Sequence, residues 1–190
     1  MSTKKSRPLL KNIFQCWGKG TALYLLCALA SCTLSKPLTT SVKTTEPDYA
    51  FYRSYSQKFG ISFDGTENKQ LIQEIDRWLG TPHKLGGCSK KGVDCSCFVQ
   101  QVYRQVYGII LSRSSSDMYN DVKKVSKEDL QEGDLVFLHG GNKKISHVGI
   151  YLKDSKFVHV TAVKGVMISS LLEASYKKSF YAAGRVKKRT

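Results

Sequence analysis

The hydrophobic period of this 190-residue chain changes once along its length, and that change confines the possible folds more than any other feature. From Asn68 to Leu79 the apolar residues recur at helical spacing. Leu71, Ile72, Ile75, Trp78 and Leu79 share one face, and Gly80 with Pro82 ends the run. A second helix is predicted from about Asp94 through Phe98, Val99, Val102 and Val106 to Gly108. Beyond residue 130 the pattern becomes that of strands. Asp134–Leu138, Ser146–Leu152, Phe157–Val160 and Val166–Ile168 are short β-rich runs bounded by turn residues, and Tyr181–Val186 reads as a final strand. Helices first and strands afterwards predict an α+β fold, with N-terminal helices packed on a C-terminal antiparallel sheet. No internal repeat is visible.

The first 31 residues read as an address. A basic stretch from Met1 to Lys19 runs into the apolar segment Ala22–Ala30, which is far shorter than the roughly 20 residues a membrane span needs. A charged lead, a short apolar run and small residues at its end make an export signal. Leu29-Ala30-Ser31-Cys32 resembles the bacterial lipobox, in which the Cys becomes the first mature residue and carries lipid. Lipidation at Cys32 would then tie the protein to a bacterial membrane, in the cell envelope, through more than one hydrocarbon chain. Residues 32–48 are the lipidated Cys and a Ser/Thr/Lys/Pro-rich tether without apolar periodicity. Residues 49–67 form a helical lead-in. Its aromatic stripe, Tyr49, Phe51, Tyr52, Tyr55 and Phe59, is expected to pack on its own domain more than to bind sugar rings.

Composition adds two exclusions. A hydrophobic content of 41% supports a packed core and rules out wholesale disorder. The formal net charge of +15 suggests an anionic partner, such as nucleic acid, a membrane surface or a cell-wall polymer. Five of the 30 basic residues lie in residues 1–31, which leaves 25 against 15 acidic ones, so the excess survives in weaker form. Export and the lack of any recognition motif argue against nucleic acid.

With Cys16 and Cys27 in the signal and Cys32 acylated, Cys88, Cys95 and Cys97 remain in the folded part. Three thiols within ten residues make no disulfide scaffold. A Cys-x-Cys spacing is not the usual zinc pattern, so no metal or other cofactor is expected. Cys95 is the best placed to be a nucleophile. Asp94 is a good N-cap, which puts Cys95 in a first helical turn, where the helix dipole lowers a thiol pKa. His147 and His159 lie on consecutive strands. A two-residue loop at Asp154-Ser155 would set His147 opposite position 162 and turn His159 to the other face. A three-residue loop or a bulge would bring both to one face. A shared site requires the latter.

Gly80-Thr81-Pro82-His83, Gly86-Gly87, Gly92-Val93-Asp94-Cys95-Ser96, Gly133-Asp134-Leu135-Val136, Ser146-His147-Val148-Gly149-Ile150-Tyr151 and Phe157-Val158-His159 resemble, in this order, the NlpC-type cell-wall cysteine endopeptidases. The resemblance covers about residues 68–187, placing the catalytic domain at 68–190. It implies a papain-like fold, with Cys95 as nucleophile, His147 as general base and acid, and His159 as the group that orients the base. His83, Asp94 and Ser96 are expected on the substrate or oxyanion side. The implied partner is the peptidoglycan stem peptide, cut between D-glutamate and the diamino acid by a monomeric enzyme. The alternative is a non-catalytic peptidoglycan-binding lipoprotein on the same fold. The chain departs from the family in two places: His83 stands where Tyr is common, and Cys97 where Gly follows Asp-Cys-Ser. Cys97 is expected to fill that position as a small buried residue, with Cys88 a free loop thiol; the other possibility is a Cys88–Cys97 disulfide.

Overall fold

The computed structural model describes residues 48–187; the export signal, Cys32 and the tether up to residue 47 lie outside the described residues. Three helices come first. α1 (Tyr49–Phe59) starts on Asp48, whose carboxylate accepts the Phe51 N–H. α2 (Lys69–Trp78) starts on Asn68, whose side chain accepts from Gln70 and Leu71. Each cap satisfies backbone donors that the first helical turn leaves free. A small hairpin, β1 (Cys88–Ser89) and β2 (Gly92–Val93), then leads directly into α3 (Cys95–Tyr107). Gly108 ends α3 at φ +66°, a left-handed conformation that a side chain would resist.

After the short α4 (Ser115–Met118) come β3 (Val122–Val125), β4 (Leu135–His139), β5 (Ile145–Tyr151), β6 (Lys156–Thr161) and β7 (Gly165–Ser170). The turn α5 (Ala174–Ser179) and β8 (Phe180–Val186) complete the chain. Six strands form one sheet in the order β3-β8-β4-β5-β6-β7, antiparallel throughout. The expected α+β class and helix-on-sheet layering are what the structure shows.

Leu135, Phe137, Val148, Ile150, Val158 and Val160 face the helices, where Leu71, Ile72, Ile75, Phe98, Val99 and Val102 complete a fully apolar core. The opposite face carries a smaller cluster of Val136, Leu138, Phe157 and Leu171, with Tyr176 of α5 packed against it. Both faces of β4 are therefore covered, and its sequence is a continuous apolar run instead of an alternation. Tyr52 and Phe59 of α1 are buried in the main core, and the rings of Phe51, Tyr55, Phe59 and Phe63 meet in sequence. The aromatic stripe packs inward except for Tyr49, which is exposed.

Five elements had no sequence reading. The edge strand β3 is four residues long and carries two exposed lysines, a composition that hides an edge from pattern reading. The hairpin β1–β2 has two residues per strand inside a glycine-rich loop, and α5 has no side-chain cap. The single turn of α4, capped by Ser114, is too short to leave a period.

The β5–β6 turn meets the demand for a shared histidine face. Leu152 N–H donates to the Lys156 carbonyl at 2.9 Å, which closes a three-residue loop, Lys153–Ser155. Asp154 and Ser155 both adopt positive φ, 52° and 60°. The ladder runs Ile150–Val158 and Tyr151–Phe157, so His147 and His159 have the same parity. Gly149 permits this approach. A methyl there would lie 2.7 Å from the Val158 carbonyl oxygen and 3.0 Å from Cβ of His159.

Candidate active site

Cys95 opens α3, half-buried, beside a carboxylate with no spare capacity. Oδ1 of Asp94 accepts the Cys97 N–H at 2.7 Å, the Ser96 hydroxyl at 3.1 Å and Nη1 of Arg113 at 3.1 Å. Oδ2 accepts Nη2 of Arg113 at 2.6 Å, and Nη1 also donates to Ser96 Oγ at 2.7 Å. Burial by itself would raise the Asp94 carboxyl. Arg113, the Cys97 N–H and Ser96 outweigh it and hold the group below the usual carboxylate range. Asp94 and Ser96 thus serve to cap the helix and hold Arg113, and the exposed guanidinium is the polar group presented outward. Arg113 carried no motif signal, because its partner lies nineteen residues earlier.

The segment before Cys95 is tied down by its backbone. Val93 N–H donates to the Pro82 carbonyl and Lys84 N–H to the Val93 carbonyl, forming a bridge between His83 and Val93. This holds His83, with its side chain exposed, beside Val93, two residues before the start of α3. Cys88 is joined to Cys97 by a disulfide, their Cα atoms 5.5 Å apart. The expectation of a free thiol at Cys88 is corrected. The β1–β2 hairpin pairs Cys88 with Val93 and so turns it back over α3, a juxtaposition the glycine loop does not announce. Cys97 is fully buried, as expected for that position. Cys95 is the free thiol among the described residues.

The expected lowering of the Cys95 pKa is also corrected. Burial pushes the thiol up, and the negative charge of Asp94 adds to this. The N–H groups of Val148 and Ser96 pull the other way without prevailing. The resting sulfur is a thiol, and a base must make it a thiolate.

A candidate base lines the same cleft. Cys95 and His147 line one cleft of about 320 Å³, together with His83, Leu85, Ser96 and Arg113. Nε2 of His147 lies 2.9 Å from Nδ1 of His159, and Nε2 of His159 lies 2.9 Å from the Ser169 hydroxyl. His159 is 1% exposed, stacked on Phe157 with Tyr176 edge-on. Burial lowers the His147 pKa to about 4, assisted by the charge of His83, and lowers that of His159 to about 3. Both rings are neutral near pH 7. With Nε2 engaged, Nδ1 is the nitrogen of His147 left for a proton from the thiol. Five sequence-predicted residues, His83, Asp94, Cys95, Ser96 and His147, line the cleft. His159 stands behind His147 without lining it, and Cys32 lies outside the described residues. The reading from sequence missed Arg113, Leu85 and Ser169.

Comparison with known proteins places the chain in a family. The family model described as "NlpC/P60 family" matches residues 80–185. The Escherichia coli K12 protein named murein DD-endopeptidase MepS/murein LD-carboxypeptidase is 33% identical over 195 residues, covering 98% of this chain and 99% of that one. The gamma-DL-glutamyl hydrolase of Bacillus subtilis is 34% identical over 114 residues, 59% of this chain and 28% of that one. The crystal structure of an NlpC/P60 family protein from Bacillus cereus superposes with a TM-score of 0.58 at 32% identity, over 62% of this chain and 39% of the other. A cysteine at a helix start, a histidine on the sheet lining the same cleft, and a family match over residues 80–185 lead to one assignment: this chain belongs to the NlpC/P60 family.

Proposed function

We propose that the protein is a cysteine peptidase that hydrolyses peptidoglycan stem peptides. The observation that carries this reading is the polar chain from Ser169 through His159 to His147, ending in the cleft that holds the Cys95 thiol. His147 takes the thiol proton on Nδ1, and the sulfur attacks the scissile carbonyl. The oxyanion faces the first N–H groups of α3, which have no intrahelical partner, and His83 stands on the same rim. His147 then protonates the leaving amine, and a thioester on Cys95 remains. Water, deprotonated by His147, releases the acid and restores the thiol.

The bond that the family resemblance implies is D-glutamyl–diamino acid, and the name of the Bacillus subtilis relative supports the glutamyl side of it alone. The name of the Escherichia coli relative, which matches over nearly its whole length, favours a second reading, cleavage of the D,D cross-link. The arrangement of thiol and base favours catalysis over a non-catalytic wall-binding role. The proposed place of action is the cell envelope, with residues 1–31 as signal, Cys32 as lipid anchor, 32–48 as tether and the catalytic domain within 68–190. Mass spectrometry of muropeptides digested by the protein tests the whole reading. Free dipeptide ends at D-glutamate support the first bond, and resolution of dimers to monomers supports the second. A Cys95→Ala variant is expected to yield neither product, and digestion by it within tenfold of wild type would remove Cys95 from the mechanism.

A further inference from the structure

Ser169 is the one polar group in the chain of contacts behind Cys95 to which the chemistry above gives no task. It sits on β7 opposite Phe157, two pairs along from the His159–Met167 pair, and is 5% exposed. Its Oγ lies 2.9 Å from Nε2 of His159. Phe157 stacks on the imidazole at 4.5 Å, Tyr176 meets it edge-on at 5.1 Å, and the cross-strand partner is Met167. A polar hydrogen at Nε2 has Ser169 as its hydrogen-bond partner among the described residues.

Two neutral imidazoles and a hydroxyl in line can be ordered in only two directions. In one, Nε2–H of His147 donates to Nδ1 of His159, and Nε2–H of His159 donates to Ser169. Both ring hydrogens are then used, and Nδ1 of His147 keeps a free lone pair. In the other, Ser169 donates to Nε2 of His159, and Nδ1–H of His159 donates to Nε2 of His147. His147 then carries its hydrogen on Nδ1 and cannot accept one from the thiol. The direction of the chain decides whether a base exists.

We propose that Ser169 is a positioning residue: by accepting the Nε2–H of His159 it selects the tautomer that leaves Nδ1 of His147 free toward Cys95. Without that oxygen, an N–H on Nε2 of His159 would lose its hydrogen-bond partner among the described residues and become a buried unsatisfied donor. The ring escapes this by moving its hydrogen to Nδ1, which drives His147 into the blocked form. Ser169 therefore acts through two rings on an atom it does not touch. This rests on the reading of Cys95 and His147 as nucleophile and base.

The ring nitrogens report the tautomers directly. The full chain labelled with ¹⁵N-histidine is expected to show Nε2–H at both His147 and His159 near pH 7. Ser169→Ala should move His159, and with it His147, toward Nδ1–H, whereas Ser169→Thr keeps the wild-type pattern. In digestion of purified murein, Ser169→Ala should lower kcat about 10- to 100-fold with KM nearly unchanged, and Ser169→Thr should restore it to within about threefold. Nδ1–H at His159 in the wild type overturns the proposal. So does a Ser169→Ala protein that keeps both wild-type tautomers, whatever its activity. If Ser169→Ala does not fold, the wild-type spectrum and the Ser169→Thr pair decide. Cys95→Ala in the same digestion keeps the two questions apart: if it stays active the catalytic reading falls, while the spectra still judge Ser169.

Discussion

The two walls of the cleft are held by opposite means. On the helix wall, Cys95 is positioned by neighbours in sequence: the Asp94 cap one residue before it, the hairpin at residues 88–93, and a disulfide that closes on Cys97 two residues after it. On the sheet wall, His147 depends on residues up to 22 positions away, His159 and Ser169, brought into line by the register of three strands and surrounded by rings. The helix wall should tolerate loss of a single tie, because several local constraints overlap there. The sheet wall has one correct register, and a slip of one residue turns every side chain to the other face.

The comparison is broken most severely through the β5–β6 loop. Deleting Asp154 leaves a two-residue connection, sets His159 on the wrong face and is expected to reduce murein digestion about a thousandfold or more, with β-sheet circular dichroism retained. Activity within tenfold of wild type would show that the parity of the two histidines does not matter. Next, His159→Ala is expected to cost about a hundredfold in kcat, less than the loss from His147→Ala, because it removes only the group that orients the base. Equal losses in the two variants would make His159 a direct participant.

On the helix wall the effects should be smaller and fall on stability. Cys88→Ser with Cys97→Ser opens the small loop and is expected to cost about 2–3 kcal/mol in urea unfolding, with digestion reduced less than tenfold. A larger loss of activity than of stability would mean that the disulfide sets catalytic geometry. Peptide mapping of the unreduced protein should recover Cys88 linked to Cys97 and Cys95 free.

The last expected effect is in pH dependence. His147 titrates at about 4 and His159 at about 3 in the fold, against about 6.5 in an unfolded chain. Between about pH 6.5 and 4 the unfolded chain takes up protons that the folded one refuses, so stability falls as pH falls through that window. The acid limb of kcat/KM follows the free base, and should lie nearer pH 4 than 6.5. A limb at 6.5 would mean that water reaches the two rings freely.

Local patterns carried much of this protein. Asp94 as an N-cap, the apolar faces of α2 and α3, the left-handed stop at Gly108 and the β-rich runs after residue 130 follow from steric and hydrogen-bonding preferences within a few residues. They place Cys95 at a helix start and two histidines on neighbouring strands, and the loop parity is reduced to a choice between two cases. Tertiary structure made the rest. It chose the three-residue loop, paired Arg113 with Asp94, closed Cys88 on Cys97 and set Ser169 behind His159. It also reversed the expected shift of the Cys95 thiol. A helix dipole can be read from sequence, but the stronger effect is the removal of water by β5 and its neighbours, and how deeply a sulfur is covered is known only once distant segments have packed around it.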